Sequence, residues 1–173
     1  MLVPYDQAWP ERFAEYAAEL RAHGRSDWTI EHIGSTSILG MQAKPIIDLA
    51  VRIRDRAEVE SCMEELGEAG WRVGSSVRSH LVLVRESDGI RSAIAHFFRA
   101  TEWEVVSQRL LRDWLRTHPA DAAQYSRAKD LAAAAAESHG TGAYNAAKAP
   151  MIQEIVDRAR AARGLPTVPV SDR

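Results

Sequence analysis

The chain has 173 residues, 46% of them hydrophobic and 27% charged, with a net charge of -2. That length suits one domain with its own core, and no run reaches the roughly 18 apolar residues of a membrane span, so insertion into a membrane is not expected. A lone Cys62 excludes an intrachain disulfide, nothing at the N-terminus reads as a secretory signal, and the small negative charge gives no general attraction to nucleic acid. The cytoplasm is the expected compartment, and nucleic acid is not an expected partner.

In chain order, PERFAEYAAELRAHG carries Phe13, Tyr16, Ala17 and Leu20 at helical spacing, with Pro10 suited to a first turn and Gly24 to a stop. WTIEHI then reads as a short strand ending at Gly34, and PIIDLAVRI as a buried strand rich in β-branched residues. Asp55 can cap a helix through RAEVESCMEELGEAG, with Val59, Met63 and Leu66 on one face. WRVGS is a weaker strand, and HLVLVRES and IRSAIAHFF form a hairpin whose Asp88-Gly89 pair supplies the positive φ angles of a tight turn.

From Thr101 the pattern becomes helical. Thr101 and Glu104 have capping-box spacing, Pro119 can open a second helix, and a third is expected from about Thr141 to Arg163, kinked or broken near Ala146 to Ala149 by Pro150. The segment GLPTVPVSDR has too little apolar mass to pack, so residues 164–173 are expected to be a mobile tail after a single domain over 1–163. The pattern describes an α+β fold, a small mixed sheet covered by helices, with a C-terminal helical bundle. The tryptophans and phenylalanines read as core.

The stretch EHIGSTSILGMQAKPIIDLAV stands apart from the ordinary charged helices around it. Gly34, Ser35, Thr36 and Ser37 give backbone N–H groups room to converge on an anion, with hydroxyls as further donors. Asp48, placed on a strand between PII and LAV, carries a desolvation cost that a cation, a metal or several donors must offset, and Lys44 and Mg²⁺ are the candidates. An anion held opposite a metal-binding carboxylate is a phosphate-handling arrangement. Each feature also has a plainer reading: the turn as a helix cap, Asp48 as a structural carboxylate, His96 as a core histidine, and Arg91, Lys44, Lys129 and Lys148 as solvated surface cations.

These residues resemble the GrpB-like family, a branch of the nucleotidyltransferase fold. VPYDQAWPERF is similar to the family's opening, IEHIGSTSILGMQAKPIIDLAV matches its central signature, and weaker echoes lie at Arg91, His96, RDWLRTHP, Tyr125 with Lys129, and Tyr144 with Lys148. The family is often labelled as an accessory domain of dephospho-CoA kinase because the two are fused in some bacteria, which is a record of gene architecture and not of an activity. The resemblance implies a triphosphate at Gly34 to Ser37, aided by Lys44, Arg91 and Lys148, and Mg²⁺ on Asp48, with Asp48 and His96 as the catalytic pair. The superfamily pattern also has a second strand carboxylate, which would fall at Ala50. Two-metal transfer needs ligands that hold both ions about 3.5–4 Å apart, and one aspartate supports that poorly.

Three functions follow. The first is nucleotidyl transfer from a nucleoside triphosphate with Mg²⁺ to a small acceptor. The second is a non-catalytic module for a nucleotide, a CoA-type molecule or another small anionic metabolite. The third is metal-free acid–base chemistry in the same pocket with His96 as acid or base.

Overall fold

The computed structural model describes residues 1–74, 79–139 and 141–170, with the side chains of 135–139, 141–143 and 145 outside the description. The chain runs α1 (Trp9–His23), β1 (Thr29–Ile33), a 3-10 turn (Ser35–Ser37), β2 (Ile47–Ile53), α2 (Arg56–Glu60), α3 (Met63–Glu68), β3 (Trp71–Val73), β4 (Leu81–Ser87) and β5 (Ile90–Arg99). A second 3-10 turn (Trp103–Val105) leads into α4 (Ser107–Thr117), α5 (Pro119–His139) and α6 (Thr141–Ala161). The sheet has five strands in the order β1-β2-β5-β4-β3, with β2 and β5 parallel and every other pair antiparallel. Asp88 and Gly89, with φ of 54° and 74°, make the β4–β5 turn expected from the sequence.

Side-chain alternation divides the sheet into two faces. Ile47, Leu49, Val51 and Ile53 point to one side with Ala93, Ala95 and Phe97, where α1, α2 and α3 cover them through Trp9, Leu20, Val59 and Leu66. Their burial supplies the main core. The other face carries Glu31, Asp48, Ala50 and His96, and only part of it is apolar: Ile33, Ala50 and Phe98 pack with Trp103 and Val106. A third cluster, of Ile38, Met41, Leu111, Leu115, Tyr125, Ile155 and Val156, joins the segment after the first 3-10 turn to the C-terminal helices.

Charge anchors α4 to the polar face. Glu31 of β1 accepts from Arg109 at 2.9 and 3.0 Å and from Arg112 at 2.6 Å. Burial opposes the Glu31 charge, but these guanidinium hydrogen bonds outweigh it and hold the carboxyl below its usual range. Asp121 at the start of α5 then accepts from Trp114 of α4 at 2.6 Å and Arg158 of α6 at 3.1 Å, tying the three helices together.

Several local expectations change. Asp55 caps α2 by accepting from the Glu58 N–H at 3.0 Å, but the helix breaks at Ser61 and Cys62, where the Ser61 hydroxyl bonds the Glu58 carbonyl at 2.9 Å. Thr101 and Glu104 form no capping box: Trp103–Val105 is a 3-10 turn and α4 starts only at Ser107. Helix α6 runs unbroken through Pro150. After α6, Gln153 bonds the Val168 carbonyl at 2.9 Å and the Val170 N–H at 2.7 Å, and Arg160 bonds the Pro166 carbonyl at 2.6 Å. Residues 171–173 lie outside the described residues. Among the described residues no helix is long and apolar enough to cross a membrane.

Replacing Glu31 by Gln keeps the shape but removes one of the two carboxylates that pair with the buried Arg112, the other being Asp113. The expected cost is about 2–3 kcal/mol of unfolding free energy in urea melts. A change below a few tenths would show that the pair does not anchor α4.

Candidate functional site

The site begins with a close approach that only glycine permits. Gly34 has φ 70° and ψ -175°, and a Cβ there would stand 2.2 Å from Oδ2 of Asp48. The turn's backbone and the strand's carboxylate therefore share one spot, Asp48 lying beside Ile33 of β1 and Ile94 of β5 with its side chain 14% exposed. The turn is held from within: the Ser37 hydroxyl donates to the Gly34 carbonyl at 2.6 Å, and the Thr36 hydroxyl reaches the Ile46 carbonyl at 3.4 Å and His32 Nε2 at 2.9 Å. Thr36 is buried, so it shapes the turn and does not face outward. Ser35 makes no side-chain hydrogen bond among the described residues.

Arg116 of α4 closes the end of the turn by donating from Nε and Nη2 to the Ser37 carbonyl at 3.2 and 2.9 Å. His32 is held neutral near pH 7, its pKa pushed down to about 4 by burial against the upward pull of Asp48. The cation near Asp48 is one the sequence pattern hides. Lys129, expected on a helix surface, is 1% exposed and donates its ammonium to the Gln42 carbonyl. Burial lowers its pKa to about 8, with Asp130 and then Asp48 opposing that fall.

His96 lies on the Asp48 side of the sheet, as the strand register requires. Its Nε2 is 3.7 Å from Asp48 Oδ1 and its Nδ1 is 2.9 Å from Nε2 of His80, whose own Nδ1 is 2.9 Å from the Ser79 hydroxyl. His80 was not legible in the sequence; it precedes β4, and only the pairing of Leu81 with Phe97 brings it to His96. Lys44 and Lys148 place their ammonium groups over the same buried ring, Tyr144, at 4.1 and 4.3 Å from its centroid. Arg91 is separate: it lines a concavity at the β4–β5 hairpin with Arg72 and Arg85.

The donor set does not fit a pair of protein-held metal ions. Among the described residues no group of three or more His, Cys, Asp or Glu side chains is arranged to hold one. Position 50 is also closed, because Ala50 is fully buried in the cluster with Ile33, Phe98, Trp103 and Val106 and is flanked by Glu31, already held by two arginines, and by His96. The residues fit one carboxylate contact to an ion that arrives on its ligand's phosphates, since Mg²⁺ is commonly bound through one or two carboxylates plus phosphate and water.

Comparison with known proteins gives the fold class first. The chain superposes on terminal uridylyl transferase 4 from Trypanosoma brucei with bound dUTP at a TM-score of 0.55 and 13% identity, covering 96% of this chain and 57% of that one. It superposes on the Cid1 poly(U) polymerase bound to MgATP at 0.52 and 14% identity, covering 79% and 44%. At such identities the likeness concerns architecture alone, and the mixed sheet with its helices is nucleotidyltransferase-like.

The family follows from nearer relatives. The chain belongs to the GrpB family, described as GrpB protein, which matches residues 1–158. The crystal structure of the conserved protein GrpB from Enterococcus faecalis superposes at a TM-score of 0.84 with 26% identity, covering 95% of this chain and 99% of that one. A UPF0157 protein of Halalkalibacterium halodurans is 31% identical over 170 residues, 92% of this chain and 82% of the relative. Another from Pseudomonas aeruginosa is 32% identical over 174 residues, 96% and 70%.

Two substitutions test the geometry. Gly34→Ala forces a side chain into a glycine-only backbone region and onto Asp48, and is expected to cost about 1–3 kcal/mol in denaturant melts. A neutral outcome would mean that the turn does not press on the carboxylate. Below pH 8 the fold carries the cost of a buried charged Lys129, and because its folded pKa of about 8 lies below the unfolded 10.5, that cost disappears as pH rises through this window. The stability difference between parent and Lys129→Met is therefore expected to shift in the parent's favour by about 3 kcal/mol between pH 8 and 10.5. A pH-independent difference would place the ammonium in solvent.

Proposed function

We propose that the protein binds a small phosphate-bearing ligand of the nucleotide class, phosphates against Gly34 to Ser37 and accompanied by Mg²⁺ that Asp48 contacts. The observation that carries this is the Gly34–Asp48 approach: a phosphate at the turn lies beside a carboxylate, and two like charges at that separation need a cation between or around them. The ion arriving on the phosphates fills that role, and Lys129, Lys44 and Lys148 add positive potential from α5, the loop before β2, and α6. The nucleotides bound by the two transferases of similar architecture favour the same ligand class. The partner is then a small anionic molecule, and the setting the cytoplasm.

Transfer of the nucleotidyl group to a small acceptor extends this reading, with Asp48 as the single protein carboxylate on the ion. A metal-free alternative is favoured by one feature, the contact of His96 with both Asp48 and His80, which suits proton transfer at an anion held by the turn.

Titration calorimetry with nucleoside triphosphates, with and without Mg²⁺, separates these readings. Asp48→Asn keeps the side chain's shape and loses its charge, so it is expected to remove the Mg²⁺-dependent part of binding, about tenfold or more in Kd, with an unchanged melting temperature. Equal affinity of parent and variant in Mg²⁺ would overturn the metal role. Binding that ignores Mg²⁺ in the parent would favour the metal-free chemistry.

A further inference from the structure

We propose that Ser79 and His80 are positioning residues for Asp48, acting through His96 to fix which carboxylate oxygen faces the glycine–serine turn. The inference rests on the reading that Asp48 meets the ion of a bound nucleotide, and it gives that carboxylate an orientation. A line of side chains runs from the surface to the turn. The hydroxyl of the exposed Ser79 lies 2.9 Å from Nδ1 of His80, and Nε2 of His80 lies 2.9 Å from Nδ1 of the buried His96. Nε2 of His96 lies 3.7 Å from Oδ1 of Asp48, whereas Oδ2 is the oxygen that a Cβ at Gly34 would strike, at 2.2 Å.

Strand register assembles this line. Val82 pairs with His96, and His80 stands two residues before Val82, so alternation puts both imidazoles on one face of the sheet. Asp48 pairs with Ile94, two residues before His96, and shares that face. The His80 ring lies 4.4 Å from the ring of Phe98, which is itself buried with Ile33, Ala50, Trp103 and Val106. His80 therefore rests on a fixed apolar wall while its nitrogens point along the line.

Charge decides where the protons sit. A carboxylate only accepts, so a lone pair of His96 turned to Asp48 would be repelled and an N–H there is attracted. His96 then carries its proton on Nε2, and its Nδ1 accepts. His80 donates to that Nδ1 from its own Nε2, which leaves His80 Nδ1 to accept from the Ser79 hydroxyl, a group free to rotate. Running the protons the other way satisfies the same histidine and serine contacts but aims a lone pair at the carboxylate, so Asp48 selects the direction. At 3.7 Å the last link is electrostatic and longer than a hydrogen bond. It holds Oδ1 toward β5 and leaves Oδ2 to the turn, as outer partners orient the groups that meet an ion.

The test reads histidine tautomers by long-range proton–nitrogen NMR correlation in the ligand-free full chain at about pH 8.5, above the ordinary histidine pKa. His96 and His80 are both expected in the Nε2–H form. His80→Phe keeps a ring against Phe98 and removes both nitrogens, so His96 is expected to become a mixture of tautomers. His80→Gln returns a side-chain N–H in place of Nε2 and is expected to restore the His96 signature. Affinity for MgATP is expected to follow the same order, about tenfold weaker in the Phe variant and near the parent in the Gln variant, with similar melting temperatures. An Nδ1–H form of His96 in the parent, a Gln variant no better than the Phe variant, or equal MgATP affinity in all three chains would overturn the proposal. If none of the three binds MgATP, the nucleotide reading falls, while the tautomers, which need no ligand, uphold or overturn the line from Ser79 to Asp48 by themselves.

Discussion

The contact between Glu31 and the two arginines of α4 is the constraint on which the polar half of the molecule depends. One face of the sheet is sealed by ordinary apolar packing, but the other offers a carboxylate where a helix must dock. Arg112 is buried, so withdrawing Glu31 leaves its charge with Asp113 as the remaining carboxylate, in a medium that solvates it poorly. Arg109, Arg112 and Arg116 recur at spacings of three and four and thus share one helix face. The first two grip Glu31 and the last holds the Ser37 carbonyl, so the docking of α4 and the shape of the glycine–serine turn are one arrangement.

Beyond that anchor, the polar face is graded. At one end Asp48 sits among a buried lysine, a buried histidine and a backbone turn; at the other, arginines gather at the edge of the sheet. Apolar packing around Ala50 interrupts the face where a second strand carboxylate would stand.

What could be read in the sequence was local. The glycine–serine turn, the strand with Asp48 and the Asp88-Gly89 hairpin are each dictated by residues within a few positions of one another, and each forms as their chemistry requires. Lys129 was opaque because its helix has no apolar stripe to betray a buried side; its cover is the Gln42 segment, far away in the chain, which also meets Asp130 and Ser126. His80 and the Glu31 anchor hid for the same reason, since strand register and helix docking decide them. Thr101 and Glu104 had the right spacing for a cap, yet the 3-10 turn at Trp103, whose ring packs beside Ile33 and Phe98, displaced the helix start. The segment to Val170 looked too polar to pack, but Gln153 hydrogen-bonds it and Val170 packs against the cluster of Ile155 and Val156.

The single parallel pairing at the centre of the sheet has a consequence for how the chain reaches this state. β2 cannot complete its pairing until β5 has been made, because Ile47 meets Ala93 and all of α2, α3, β3 and β4 intervene. The β4–β5 hairpin closes across two residues and forms early, while the central junction must wait for a long loop to shut. Until then the β2 edge, an apolar strand with unpaired amides, is open to any other extended chain nearby. Asp48 lies on that edge, and its charge, with that of Arg52, interrupts an otherwise apolar strand and opposes a wrong partner during folding.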